Sequence, residues 1–204
     1  MQCGDNDHGL TGSKQGIGTQ VFSMQRRPID KKKNLITGLL DDEDVWQEEE
    51  GKVEEIVVGY YRTLFWTNNP TDFTELFAAI QRKVTPVMNQ QLTREYSEQK
   101  VKVALKQMYP LKAPGPDGMR PLFFQHFWPT CGAVVSKMVL DFLNQGIPPP
   151  NFNETHIVLI PKIKEPKRVT DYRPISLCNV TYKIVSKVIA NRLKKILPSI
   201  ISET

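Results

Sequence analysis

The residues from Lys112 to Gly118 read KAPGPDG and are of types that can contact phosphate. Two prolines restrict φ, two glycines permit positive φ, and Asp117 can close an Asx turn. The segment is therefore predicted to be a rigid double turn with exposed N–H groups and a lysine beside it. Two interpretations stay open from these residues alone: a loop that contacts phosphate, and a turn that only separates two helices.

A second basic group surrounds Pro166. The run THIVLI from Thr155 to Ile160 is β-branched and apolar without a helical stripe, which predicts a strand. The segment from Tyr172 to Leu177 is a weaker strand candidate, and its Pro174 suits an edge. Between them lie the basic residues Lys162, Lys164, Lys167 and Arg168. The pattern predicts a hairpin with a positively charged tip.

The most regular helical pattern runs from Lys183 to Leu197. Its apolar residues fill one side at 100° per residue, and Lys183 and Lys187 belong to a narrow polar stripe on the other. Arg192 breaks the pattern because it falls within the apolar arc. A guanidinium there needs a carboxylate, backbone carbonyls or a phosphate, so an internal partner and a nucleic-acid contact are both open.

The elements before residue 150 are predicted to be helical. Apolar residues recur at helical spacing in five stretches, two of which end at a proline, Pro110 or Pro129. The predicted helices are Val53–Trp66, Phe73–Ile80, a helix capped by Ser97 that ends before Pro110, Leu122–Trp128 and Ala133–Asn144. Gly146 and the three prolines after it are predicted to end the last of these. Their aromatic residues are interpreted as part of the hydrophobic core rather than as platforms on which nucleobases stack. The predicted fold class is α+β and mostly helical, with one short basic hairpin.

The 204 residues carry a formal net charge of +5, and this charge is unevenly distributed. Residues 41–55 have nine acidic residues against one lysine, whereas residues 156–204 have ten basic residues against three acidic ones. An anionic partner is expected for the second segment. Three separated cysteines without a C-x-x-C argue against a disulfide framework. With no signal-peptide pattern and no long apolar run, we expect an intracellular protein, in the nucleus or cytoplasm, and no membrane partner.

Several motifs, in their order and spacing, resemble one protein family. They are KAPGPDG at residues 112–118, LIPK at 159–162, DYRPISLCNVTYKI at 171–184 and ANRL at 190–193. Together they strongly resemble the reverse transcriptase, an RNA-directed DNA polymerase, of plant LINE-type non-LTR retrotransposons. The resemblance extends from about Lys33 to Thr204. It implies that residues 33–95 are an acidic helical linker and that 96–204 are the N-terminal, fingers part of the polymerase domain. Residues 1–32 lie outside the resemblance and have no helical or strand period, so they are predicted to be an irregular or disordered tail.

The resemblance also implies roles for single residues. Lys162 and Arg173 would face the triphosphate of an incoming nucleotide, where two cations can stabilise the charge of phosphoryl transfer. The other implied contacts are to template RNA or RNA/DNA duplex, where phosphates would give salt-dependent affinity. These candidate nucleic-acid contacts are Lys112, Gly115, Asp117, Gly118, Lys183, Lys187 and Arg192. The positively charged hairpin tip adds Lys164, Lys167 and Arg168.

The family's catalytic carboxylates are not matched by this sequence. The family holds two metal ions with one carboxylate on a palm strand and a pair in a Tyr-x-Asp-Asp hairpin. The sequence has one Asp-Asp, at Asp41 and Asp42, and it precedes every fingers motif, so we interpret it as a solvated acidic turn. The three histidines share no metal-ligand spacing. No catalytic or metal residue is therefore assigned, Mg²⁺ is expected only for the full-length enzyme, and the palm is expected to be missing.

Three functional hypotheses follow. The first is an inactive fingers portion of a retrotransposon-derived RNA-directed DNA polymerase. The second is a noncatalytic RNA- or DNA-binding module, and the third is a retroelement relic without function. The sequence favours the first, because the resemblance joins motifs over most of the chain.

Overall fold

The computed structural model describes residues 35–66, 72–79 and 82–201. The predicted tail at 1–32 lies outside these residues. The described elements are β1 (Leu39–Leu40), β2 (Trp46–Gln47), α1 (Glu50–Leu64), α2 (Thr74–Ala79), α3 (Pro86–Thr93), α4 (Glu98–Lys106), α5 (Pro121–His126), α6 (Trp128–Gln145), β3 (Thr155–Pro161), a 3-10 turn (Val169–Asp171), β4 (Tyr172–Cys178), α7 (Val180–Leu193) and α8 (Leu197–Ile200). The fold mixes helices with two small antiparallel hairpins, β1–β2 and β3–β4.

The larger hydrophobic core lies among α4, α5, α6 and α7. The predicted apolar stripe of α4 is buried there, with Val101 and Ala104 fully covered and Leu105 nearly so. Ile184 of α7 is also fully buried. Because burial of one such side chain contributes about 1.5–3 kcal/mol, this core fixes how α7 and the helices before it lie against each other. The cluster comprises Val101, Ala104, Leu105, Met108, Phe124, Val135, Val139, Val180, Ile184, Val185 and Val188.

A second, smaller core joins the acidic segment to the basic hairpin. Leu39 of β1 and the α1 residues Val53, Val57 and Tyr61 pack with Val169 and Tyr172, at the end of the hairpin where β4 begins. The N–H of Leu40 donates to the carbonyl of Lys167 at 2.8 Å. The segment with the strongest negative charge is thus packed on the turn with the strongest positive charge.

The hairpin of β3 and β4 has a defined register. Ile157 pairs with Ser176, and Ile160 pairs with Arg173. Ile157 is buried, whereas Ile160 and Arg173 are exposed. Since side chains alternate between the faces of a strand, one face of the hairpin packs inward and the other carries Arg173 outward. Both strands are edges in this two-stranded sheet, which accommodates Pro174.

Two predicted boundaries differ from the structure, and a third is confirmed. The last long helix begins at Val180 and ends at Leu193, because Pro198 lacks an N–H for residue 194 and its ring would clash there. Pro129 does not terminate a helix but lies at the start of α6, a position where proline is tolerated. The predicted stop at Gly146 is confirmed, with φ of 74°.

Helix α3 and the β1–β2 hairpin were not predicted. Helix α3 begins at Pro86, and the side chain of Thr85 caps it by accepting the N–H of Met88 at 3.2 Å. The β1–β2 hairpin forms around the predicted acidic turn, where the Asp41 carboxylate accepts the N–H groups of Glu43 and Val45. Both depend on local polar contacts without apolar periodicity, so the pattern analysis did not detect them. In the described part of the chain, no helix has both the length and the apolarity needed to cross a membrane.

Candidate nucleic-acid interface

The loop at residues 112–118 forms one turn, from Gly115 to Gly118, where a double turn with exposed N–H groups was predicted. The N–H groups of Asp117 and Gly118 are bonded within the fold. The N–H of Gly118 donates to the carbonyl of Gly115 at 3.0 Å, and the N–H of Met119 donates to the Asp117 carboxylate at 3.0 Å. Gly118 has φ of 70°, a conformation that favours glycine. The Asp117 carboxylate therefore serves the turn itself, as an Asx acceptor.

The same loop is seated on the junction between β4 and α7. A Cβ at Gly115 would lie 2.4 Å from the backbone N and the Oδ1 of Asn179, and 2.5 Å from the carbonyl carbon of Cys178. The N–H of Asp117 donates to the same Asn179 Oδ1 at 3.2 Å. Gly115 is thus required for the backbones to approach, and Asn179 orients the loop.

Lys183 holds the first half of the loop. Its Nζ donates to the carbonyl of Ala113 at 2.6 Å. Burial lowers the pKa of the Lys183 amine, and the charge of nearby Lys112 lowers it further. Lys112 itself is exposed. Lys183 therefore supports the loop by a direct bond, whereas Lys112 presents its charge to solvent.

The tip of the β3–β4 hairpin presents four exposed cations: Lys162, Lys164, Lys167 and Arg168. The turn is closed by Asp171, whose carboxylate accepts the N–H groups of Lys167 and Arg168 at 2.9 Å each. These two bonds lower the pKa of Asp171. Lys162 folds across the tip and donates to the carbonyl of Thr170 at 2.6 Å.

Arg168 is paired with the acidic segment. Its guanidinium forms an ion pair with the carboxylate of Asp44 in the β1–β2 turn. Asp44 has φ of 64°, in the left-handed region that Asn and Asp tolerate best among non-glycine residues. The acidic segment thus neutralises one of the four tip cations.

Arg173 lies near the tip on the outer face of the hairpin. It is exposed and stands opposite Ile160, and Lys162 follows two residues after Ile160. The two residues that the family resemblance pairs are therefore at the same end of one hairpin. This places them at the opposite end of β4 from the 112–118 loop.

Arg192 contacts protein groups rather than solvent alone. Its guanidinium donates to the carbonyls of Leu92 at 2.6 Å and Glu95 at 3.3 Å, and lies 3.2 Å from the centre of the Tyr96 ring. Of the two interpretations that the sequence left open for Arg192, the structure has the internal partner. These contacts connect α7 to the segment before α4. Lys187 is half-buried one turn after Lys183 on α7.

The cations thus form two groups along β4. One group is the loop with Lys112 and Lys183, at the Cys178 end, and the other is the hairpin tip, at the Tyr172 end. A strand rises about 3.4 Å per residue, so roughly 20 Å separate the two ends. Only a ligand longer than a single nucleotide can reach both groups.

Three partners of these residues could not be predicted from the sequence: Asn179, Asp44 and Tyr96. Asn179 carried a weak signal, because asparagine directly before a helix is a common capping residue. The side chain instead binds the loop, and no side-chain cap bond forms on α7. Nothing local in the sequence indicates that Asp44 or Tyr96 would meet residues a hundred positions away.

The magnesium ions implied by the family resemblance do not fit the described residues. Within residues 35–66, 72–79 and 82–201, no three side chains among His, Cys, Asp and Glu are grouped so that they could hold a metal. Asp41 is used by its own turn, and the neighbouring carboxylates do not converge with it. No chemical step is derived through a metal in this chain.

The chain is similar in sequence to a transposon-encoded protein. It is 26% identical over 190 residues to an uncharacterized 149 kDa protein of transposon TX1 from Xenopus laevis. The match covers 88% of this chain but 14% of that protein, so the chain spans about one seventh of this relative's length. No protein-family model matches the chain. The similarity supports an origin in a transposable element.

Proposed function

We propose that this chain is the fingers portion of a retrotransposon-derived RNA-directed DNA polymerase of the plant LINE type. In this role it binds template RNA or RNA/DNA duplex through the 112–118 loop and the hairpin tip. It is expected to lack polymerase activity alone. The similarity to a transposon protein supports the origin, and the motif resemblance supports the polymerase assignment.

The observation that carries the proposal is the seating of the loop. Gly115, Asn179 and Lys183 fix the loop onto the start of α7, and α7 follows directly from the hairpin strand β4. The loop and the hairpin are therefore two ends of one rigid unit. The loop end presents the exposed Lys112, and the hairpin end presents several exposed cations. Two phosphate-binding groups held at a fixed separation are suited to the regular backbone of a duplex.

The separation predicts a length requirement. Phosphates on one strand advance about 3.4 Å per base pair, so a duplex of roughly six base pairs spans the 20 Å between the two groups. We expect RNA/DNA hybrids longer than this to bind much more tightly than shorter ones. Fluorescence anisotropy at stepped salt concentrations measures this, and the affinity should fall steeply as salt increases.

Two charge variants test the assignment. Lys164→Ala combined with Lys167→Ala should weaken binding and reduce the salt slope by about two, since about one counterion is released for each phosphate contact. Lys100→Ala on α4 removes an exposed lysine outside both groups and serves as the matched control. Equal effects of the two variants, or no binding at low salt, would contradict the proposal.

The noncatalytic binding module is the second candidate. It is favoured by the exposed Lys164 and Lys167 at the hairpin tip, whose charges can bind phosphates without a nucleotide site. A fingers portion should bind a nucleoside triphosphate through Lys162 and Arg173, whereas a general binding module should not. If a nucleoside triphosphate displaces the bound hybrid, and if this competition is lost in Lys162→Ala and Arg173→Ala, the polymerase origin is favoured. A primer-extension assay should show no nucleotide incorporation by this chain.

A further inference from the structure

A shallow groove beside the 112–118 loop has no role in the proposal above. It has a volume of about 430 Å³ and is lined by Leu111, Arg120, Leu122, Phe123, His126 and Phe127. Its side chains are open to solvent: Leu122 is 48% exposed, Phe123 40% and Phe127 46%. The aromatic run of α5 is thus divided, with Phe124 buried in the core and its neighbours left outside.

The groove is held rigidly. Gln125 donates to the carbonyls of Leu105 and Met108 at 2.9 Å each, which fixes α5 against the end of α4. The N–H of Leu122 donates to the carbonyl of Pro110 at 3.0 Å, which fixes α5 against the segment leading into the loop. A ligand entering the groove would therefore meet aromatic rings that are already in place.

The rings form an angled apolar floor. The centres of Phe123 and Phe127 are 5.0 Å apart, and their planes are tilted by 48°. His126 stands edge-on to Phe127 at 4.7 Å. One face of such a ring can stack on a planar group of the same size, as nucleobases do on aromatic side chains.

The charge around the floor favours an anionic occupant. Arg120 lines the groove, and none of the six lining residues is acidic. Leu111 directly precedes the exposed Lys112, so the groove borders the loop. An occupant that is both planar and anionic matches a single-stranded nucleic acid better than it matches an aliphatic peptide.

We infer that this groove binds an unpaired nucleobase of a single-stranded RNA or DNA. The base stacks on Phe123 and Phe127, and Arg120 neutralises the adjacent phosphate. The inference rests on the proposed function, because it extends the same nucleic acid from the 112–118 loop into the groove. In this arrangement the exposed phenylalanines add affinity for the nucleobase, whereas the cation groups provide affinity for the phosphates alone.

The test compares base and phosphate contributions on the full chain. We expect Phe123→Ala and Phe127→Ala each to weaken binding of an oligouridylate of about 12 nucleotides by roughly 5-fold to 100-fold, with an unchanged salt slope. An oligonucleotide of the same length with abasic residues should bind the parent protein weakly. It should be insensitive to both substitutions, because stacking has already been lost.

The matched control is Phe77→Ala, which removes another exposed phenylalanine, on α2. Circular dichroism spectra should show that all variants keep the parent helix content. If the lysine variants weaken binding but the phenylalanine variants do not, the inference is wrong and the proposed function stands. If single strands do not bind at low salt but the RNA/DNA hybrid does, the inference is wrong and the proposed function stands. If neither binds at low salt, both are wrong. If an acidic, tyrosine-rich peptide binds in a Phe123-dependent manner and RNA does not, the groove docks a protein and the inference is overturned.

Discussion

Substituting Gly115 by alanine tests whether the loop is really seated on the start of α7. The new Cβ would lie 2.4 Å from the Asn179 backbone N, whereas ordinary contact begins near 3.4 Å. The loop must therefore retreat by about 1 Å, and this movement breaks the 3.2 Å bond from Asp117 to Asn179 and lengthens the bond from Lys183 to Ala113. Overpacking and the lost bonds should together destabilise the fold by about 2–4 kcal/mol.

Urea unfolding followed by circular dichroism measures this effect. Gly59→Ala is the matched control, because a Cβ there meets nothing within 4 Å in the middle of α1. It should stabilise the protein by about 0.5–1 kcal/mol. In the absence of urea, the affinity for the RNA/DNA hybrid should decrease in Gly115→Ala and stay unchanged in Gly59→Ala.

A second variant shows which atoms near Asn179 obstruct the new Cβ at position 115. Combining Gly115→Ala with Asn179→Ala removes the Oδ1 contact but leaves the backbone N and the Cys178 carbonyl carbon in place. The double variant should therefore remain destabilised. An unchanged unfolding midpoint for Gly115→Ala would refute the seating of the loop, and full rescue in the double variant would show that the side chain alone is the obstacle.

Three further predictions concern the charged residues. Arg192→Lys should lose about 1–2 kcal/mol of stability in urea, because lysine cannot bridge two carbonyls and cover the Tyr96 ring together, while hybrid affinity stays the same. Asp44→Asn should leave Arg168 free, so anisotropy should show tighter hybrid binding and a salt slope steeper by about one, with little change in stability. Because the pKa of Asp171 is below its ordinary 3.8, its contribution to stability is present above pH 3.8 and is lost as pH falls through the folded-state pKa. Asp171→Asn should accordingly flatten the decline of the unfolding midpoint with acid, and an unchanged pH profile would contradict this assignment.

The acidic segment at residues 41–55 has a contact in the fold that its sequence does not indicate. Its charge run is explained in part by the helix dipole, since Glu50 lies in the first turn of α1. The fold adds a contact with the basic turn, through Leu39 in the second core and Asp44 at Arg168. The two opposite charge clusters of the sequence are therefore neighbours, which reduces the positive field available to a nucleic acid at the tip.

Sequence patterns predicted the elements that are defined by local chemistry. The α4 stripe, the strand at Thr155 and the stop at Gly146 follow from side-chain periodicity and backbone conformation, which act over a few residues. The turn at Asp117 was predicted for the same reason. The positive tip of the hairpin also followed from composition, because four cations in a seven-residue turn cannot all be buried.

The roles of the individual cations were decided by tertiary structure. Lys183 and Lys164 were both candidate nucleic-acid contacts, and for Arg192 an internal partner was also open. In the fold Lys183 and Arg192 each bind backbone carbonyls from a distant segment. Phe123 and Phe124 are adjacent in sequence, and packing buries one and exposes the other. The sequence alone determined which residues are charged, apolar or able to turn. Only the packing of α7 against the loop and the preceding helices determined which of them remain available to a ligand, because a hydrogen bond over a hundred residues depends on the whole fold and not on local spacing.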